Sequence, residues 1–311
     1  MRTARPISTV VSIYALLLAL ALSVALAMPP SVQASYPGSH NGRLIFGINL
    51  NGNYDLYSVL PNGHALHRLT TDPAFDLCPA SSADGKQIAF CSNRTGAYEI
   101  WTMKANGTQQ RQVTHLGGFA IFPDFSPDGS KIVFSGSRPE DADMDIFVVN
   151  ANGSGLVRLT TAPGDDQYPA WSPDGRSIVF ISTRTGIGQV WLMSADGSNQ
   201  RQLTFDGGEK DQVPDWKPDG TRIAYECVPA ICVMNADGSG QRRLTTPNGQ
   251  EDDFGPAWSP DGRQIAFVHW IDEANHNVYI MNADGSNPYA VHPTGRQAVP
   301  AWQPRGGSRF H

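Results

Sequence analysis

The chain's 311 residues carry 23 basic and 29 acidic side chains, a formal net charge of −6 at pH 7. An acidic chain with no basic stripe is a poor match for nucleic acid or for an anionic membrane surface, so neither is expected as a partner. The length is ample for one packed core.

Residues 1–34 have the layout of a secretory signal peptide. Arg2 and Arg5 give a positive start, residues 10–27 form an apolar run, and Pro29 and Pro30 break it. Val32-Gln33-Ala34 then offers a small-residue cleavage motif before Ser35. The alternative is an uncleaved anchor, since 18 apolar residues just reach across a bilayer. Cleavage would place the mature chain in the periplasm or outside the cell. It would also take the formal charge to −8, because the leader holds two arginines and no acid. Residues 35–40 read as a short linker.

From residue 41 to about residue 306 one sentence of sequence recurs. Its clearest copy is Tyr168-Pro169-Ala170-Trp171-Ser172-Pro173-Asp174-Gly175-Arg176-Ser177-Ile178-Val179-Phe180. Other copies start at Pro79, Pro123, Pro214, Pro256 and Pro300, in steps of 42 to 46 residues. A fixed period of this size marks a stacked-repeat architecture. Each unit predicts four short strands. The first carries Phe125, Trp171, Trp216, Trp258 or Trp302, with Ser81 the exception. A Pro-Asp-Gly turn leads to the second, an apolar alternation such as Ile88/Phe90 or Ile178/Phe180. The third precedes an Asn-Gly or Asp-Gly turn, as at Asn106-Gly107 and Asp196-Gly197, and the fourth ends in Leu-Thr or Val-Thr. The last copy stops after strand one, while Leu44 to Phe46, Asp55 to Ser58 and Arg68 to Thr70 supply strands two to four at the other end. The expectation is an all-β, six-bladed β-propeller, closed by a C-terminal strand pairing with the N-terminal hairpin. Residues 307–311 are left as a tail.

These repeats, of the form Pro-x-Trp-Ser-Pro-Asp-Gly…Ile-Ala-Phe…Met-Asn-Ala-Asp-Gly-Ser…Leu-Thr, resemble the Pro-Asp, WD-like β-propeller repeats of TolB-type proteins. The resemblance covers nearly all of the mature chain. It implies a six-bladed propeller, and with it an exported, monomeric, non-catalytic scaffold that binds a protein or cell-envelope ligand. TolB-type proteins carry an α/β domain ahead of the propeller, for which these residues leave no room.

Both glycine turns of each unit fall on one face, which therefore reads as structural. The opposite face carries the strand-two/three loops and the links between blades. Those loops vary, so binding is expected there. Three residues before the blade proline stand Asp76, Asp166, Asp211 and Asp253, with Ala120 and Gln297 in the other two units. They predict an acidic rim, for a cation or a basic segment or else for capping their own turns. Arg94, Arg138 and Arg184 share a place in three neighbouring loops, to hold a carboxylate or to pair with a nearby acid. Trp270 stands in the fifth loop as a binding aromatic or as a cover for the blade edge.

Cys78 and Cys91 lie at similar distances from the Asp84-Gly85 turn, and Cys227 and Cys232 flank a shortened loop. In an exported chain two local pairs predict two disulfides. No Gly-x-Ser-x-Gly elbow, His-Glu-x-x-His, P-loop or dinucleotide fingerprint is present, and no metal site or cofactor is expected. The competing reading is a hydrolase or lyase acting on a polysaccharide or peptide, with Asp166, Asp211 and Asp253 transferring protons.

Overall fold

The structure is a computed structural model that describes residues 40–50, 52–205, 211–272, 275–291 and 296–305. The expected signal peptide, most of the expected linker and the C-terminal tail lie outside the described residues. Among the described residues every regular element is a strand, and these strands form six antiparallel sheets.

Five blades are continuous in sequence. Blade 1 is Asp76–Ser81, Gln87–Ser92, Glu99–Lys104 and Arg111–Gln112. Blade 2 is Phe119–Phe125, Lys131–Ser137, Asp145–Asn150 and Val157–Arg158. Blade 3 is Asp166–Trp171, Ser177–Ser182, Gln189–Ser194 and Arg201–Gln202. Blade 4 is Asp211–Trp216, Arg222–Cys227, Ala230–Asn235 and Arg242–Arg243, and blade 5 is Asp252–Trp258, Gln264–Asp272, Asn275–Asn282 and Tyr289–Ala290. Blade 6 joins the two ends of the chain. Ala301–Arg305 pairs with His40–Leu50 in the register Leu44↔Trp302 and Ile45↔Ala301, and Asn53–Val59 and His67–Arg68 complete the sheet. The expected closure is therefore present, and no inner strand is left without a partner strand.

The repeated residues explain the repeated shape. In blade 1 the first turn is closed by Gly85 N–H to Ser82 O at 2.8 Å, Gln87 N–H to Ser82 Oγ at 2.9 Å and Lys86 N–H to Asp84 Oδ1 at 3.0 Å. Gly85 takes φ +67° there, a left-handed value that a Cβ would strain. The same bonds recur around Ser126, Ser172 and Ser259. The Leu-Thr ending has its own cause. The outer strand is two residues long, so it cannot pair the whole third strand. The threonine hydroxyl takes the next free N–H instead: Thr70 from Leu56, Thr114 from Ile100, Thr160 from Ile146 and Thr204 from Val190, at 2.8–2.9 Å.

Packing between blades runs through the inner-strand aromatics. Trp171 packs with Val133 and Ile146 of blade 2 and with Ile178 and Phe180 of its own blade. Trp258 packs likewise on Ala224, Ile231 and Val233 of blade 4. Trp302 is fully buried and donates its Nε1–H to Ala257 O at 3.1 Å, which ties the closing strand to blade 5. Each inner strand of blades 1 to 5 also carries a register shift just before its proline. There Cys78, Phe122, Tyr168 and Val213 take positive φ and enter the core, with the rings of Phe122 and Tyr168 tilted against each other, centroids 4.3 Å apart.

Candidate binding site

The inner-strand acids and the loop arginines, expected as two separate features, form a single one. Asp76 is completely buried, and Arg94 donates to both of its carboxylate oxygens at 2.8 Å. Arg94 is held in turn by Ser92 Oγ at 2.9 Å and Gln110 Oε1 at 2.7 Å, with its guanidinium 4.6 Å above the Trp101 ring. Burial pushes the Asp76 carboxyl above its ordinary range, and Arg94 only partly opposes that. Blade 3 repeats the arrangement with Arg184, which bonds Asp166 at 2.8 Å, Ser182 at 2.7 Å and Gln200 at 2.7 Å and stacks over Trp191. These two acids neither form a solvent-facing rim nor cap their own turns. Each is the buried half of a clasp that fastens the loop to its blade.

The other blades fill the same slot differently. In blade 2 the acid is replaced by Ala120, and the Arg138 side chain is exposed; its backbone N–H, not its guanidinium, meets Asp141 at 2.8 Å. The clasp passes to Arg158, which bonds Asp141 and the buried Asp145. In blade 4 the loop is only Val228-Pro229, and a disulfide joins Cys227 to Cys232 with a Cα–Cα distance of 5.7 Å. Asp211 opens the inner strand of that blade opposite Cys227, and its side chain is outside the described residues. In blade 6 Gln297 is buried, and its Oε1 accepts the Val278 N–H at 2.8 Å. The other expected cysteine pair meets as foreseen but is not bonded. Cys78 and Cys91 are free, buried thiols with Sγ atoms 2.6 Å apart. Cys91 also receives the Phe122 N–H, the place that Ser135 fills for Tyr168 one blade on.

Blade 5 departs furthest. Asp253 meets His269 Nδ1 at 2.6 Å, and His269 sits edge-on to Tyr279. Its neighbour Asp252 points to the other side of the sheet, opposite Trp270. Burial, and then the Asp253 charge, push its carboxyl up to about 6. Asp252 Oδ1 is buried and has no hydrogen-bond partner among the described residues. The second and third strands of this blade are nine and eight residues long, against six or seven in blades 1 to 4. In the blade 6 hairpin Leu44–Leu50 pair with Asn53–Val59. In these two neighbouring blades strand pairing thus continues to the hairpin tip on the loop face. Their tips carry Ile271 at 45% exposure, Leu50 at 45% and the half-buried Trp270. Of the residues expected in a site, Trp270 stands at these tips, half-buried in the second strand of blade 5. Leu50 and Ile271 are not among those expected; the signal available was an apolar residue at the tip of each hairpin.

Among the described residues no group of three or more His, Cys, Asp or Glu side chains is placed to hold a metal ion. No helix among them is long and apolar enough to cross a membrane.

A family model, the TolB beta propeller domain, matches residues 34–138 and 108–306. The chain belongs to the TolB β-propeller family. Among solved structures, TolB from Acinetobacter baumannii superposes with a TM-score of 0.75 at 24% identity, over 87% of this chain and 68% of that one. A protein assigned as TolB from Agrobacterium tumefaciens gives 0.66 at 21% identity, over 85% and 91%. An oligogalacturonate lyase in complex with manganese gives 0.51 at 14% identity, over 85% and 74%. At these identities the likenesses establish the fold alone. No curated protein matches the chain in sequence.

Proposed function

We propose that this TolB-type propeller is exported, works as a monomer, and holds a protein or cell-envelope ligand against its loop face without catalysing a reaction. The observation that carries this reading is the rim of blades 5 and 6, where Leu50, Trp270 and Ile271 stand at the tips of neighbouring, fully paired hairpins. Apolar side chains exposed on rigid two-stranded supports suit a protein partner, because they bury area at little cost in ordering. The Cys227–Cys232 disulfide supports residence in an oxidising compartment, in keeping with a cleavable leader. Asp76 and Asp166 are spent on guanidiniums inside the sheets, which favours binding over proton transfer by these acids.

A photo-crosslinking amino acid placed at Leu50, Ile271 or, as a control in the blade 4 turn of the turn face, Asp237 tests the reading in intact cells. The first two positions should give the same protein adduct and the control none. Adducts at all three positions, or at none, would remove the rim from the proposal. Sequencing of the exported product should begin at Ser35.

A further inference from the structure

The turn face, where every blade shows nearly the same two tight turns, is not uniform. Clefts open there between the turns of neighbouring blades. A cleft of about 420 Å³ is lined by Asp128, Asp174 and Asp196, and one of about 460 Å³ by Asp174 and Asp219. A larger one, about 590 Å³, lies at blade 1 and has the opposite charge: Lys86, Lys104 and Arg111 line it. Two of the chain's five lysines stand in this one cleft of a protein whose net charge is −6.

Its basicity comes from departures in the turn, not from the fold. In blades 2, 4 and 5 the residue that ends strand three is Asn150, Asn235 or Asn282, and its amide bonds a turn serine hydroxyl at 2.9–3.0 Å. Blade 1 has Lys104 there. The turn still closes without it, through Thr108 Oγ1 to Asn106 Oδ1 at 2.7 Å, so the ammonium group is exposed and engages no partner among the described residues. Five residues on, blades 2 to 5 place Gly155, Asn199, Gly240 or Asn287 at positive φ, the residue types that take it most readily. Blade 1 places Gln109 at φ +56°, a left-handed conformation that strains a longer side chain. Ala65 of blade 6 is a similar exception, but it adds no functional group. Lys86 has only an exposed pairing with Asp84 at 3.2 Å, which screening makes weak. Arg111 reaches Ala151 O, which points its guanidinium along the seam toward blade 2.

We infer that this cleft is a second binding site, for an extended acidic peptide segment of a partner protein. The three cations supply charge complementarity, while the acidic clefts at blades 2 to 4 disfavour the same ligand on the rest of this face. Amide and hydroxyl groups of Thr102, Asn106 and Gln109 line the same cleft and match a peptide backbone. The site lies on the face opposite the rim of blades 5 and 6, so it stands or falls independently of the ligand proposed there.

The test is a fluorescence-anisotropy titration of the purified mature chain with a labelled ten-residue Glu-rich peptide and its Gln counterpart. The Glu peptide should bind saturably and weaken as salt is raised, and the Gln peptide should not bind. Lys104→Asn, the residue that three other blades carry, should fold normally and weaken binding about tenfold, and Lys86→Glu/Lys104→Glu should abolish it. Lys131→Glu, in the neighbouring acidic cleft, should leave binding unchanged. Equal binding by wild type and the double variant, or no saturable binding of the Glu peptide, overturns the inference. So does tight binding of oligogalacturonate with none of the peptide, which would reassign the cleft to an acidic glycan.

Discussion

Blades 1 and 5 use one slot of the repeat in two ways. In blade 1 the acid that opens the inner strand is sealed in and answered by Arg94, which also grips Ser92 and Gln110. In blade 5 the corresponding Asp253 meets only a half-buried histidine, and Asp252 beside it keeps an unanswered oxygen. A buried carboxylate is tolerable only if its charge is matched, so the first arrangement holds the loop down. The second leaves polar groups unsatisfied next to exposed apolar residues, which is how binding surfaces differ from cores. The repeat supplies the position; the partner decides whether it becomes a fastener or part of a surface.

The contrast breaks most visibly if the fastener is cut. Arg94→Ala leaves Asp76 buried and uncompensated, and should cost about 3–5 kcal/mol in denaturant unfolding. Asp76→Ala/Arg94→Ala should recover much of that loss, because no lone charge remains. If the single variant unfolds at the wild-type midpoint, the clasp is not what holds this loop.

Blade 4 replaces the ionic clasp with a covalent one. Cys227 and Cys232 are five positions apart in sequence, so Cys227→Ser/Cys232→Ser should lose about 2 kcal/mol by loop-closure entropy. Reducing agent should lower the wild type to the level of this variant and leave the variant unmoved. For Cys78 and Cys91 the expected state in an oxidising compartment is a second bridge. Unfolded in a thiol-alkylating reagent without reductant, the exported protein should then take up no label; two labels per chain would show that this pair stays reduced.

How much of this was legible in the sequence depends on the range of the physics involved. Turns, strands and ring closure follow from local chemistry: a glycine at positive φ, a β-branched alternation, and a missing set of strands matched at the other end. The Arg–Asp clasp was not joined, because Asp76 and Arg94 come together only through the register Asp76↔Ser92. A constant spacing would have shown it, since Asp76 to Arg94 and Asp166 to Arg184 are both 18 residues, as is Ala120 to Arg138. The blades serve as one another's alignment, and the blade without the acid is the one whose arginine is exposed. The basic cleft was missed for a different reason. Near-identical turns suggest an inert face, whereas the cleft at blade 1 is lined by residues such as Lys104 and Gln109 that a turn leaves free to vary.

Asp252 sharpens the comparison from the blade 5 side. Its carboxyl sits at about 6 when folded and near 3.8 when unfolded, so the folded state binds the proton more readily between those values. The wild type should therefore gain stability as pH falls through 6, and above 6 it carries the full penalty. Asp252→Asn removes the charge and gives the site a donor. It should raise stability at pH 7 by on the order of 1–2 kcal/mol after allowance for screening, with the gain vanishing below about pH 4. A variant as stable as wild type at both pH 7 and pH 4 would mean that the carboxylate is well solvated.

The smallest effect is expected where the slot is empty. Arg138 has the same place in its loop as Arg94 and Arg184, but Ala120 stands where their acid partner would be. Its guanidinium is exposed, 6.0 Å from the Phe147 ring, and forms no ion pair among the described residues. Removing it strands no buried charge, and Arg158 already secures Asp141 and Asp145. Arg138→Ala should therefore change the unfolding free energy by less than about 0.5 kcal/mol, against several for Arg94→Ala. Introducing the missing acid, Ala120→Asp, gives the complementary measurement. If Arg138 can swing inward to meet it, the double change Ala120→Asp/Arg138→Ala will be much less stable than Ala120→Asp alone. If the two are equally unstable, burial of the acid was never offset, and loop geometry as well as the missing acid separates blade 2 from its neighbours.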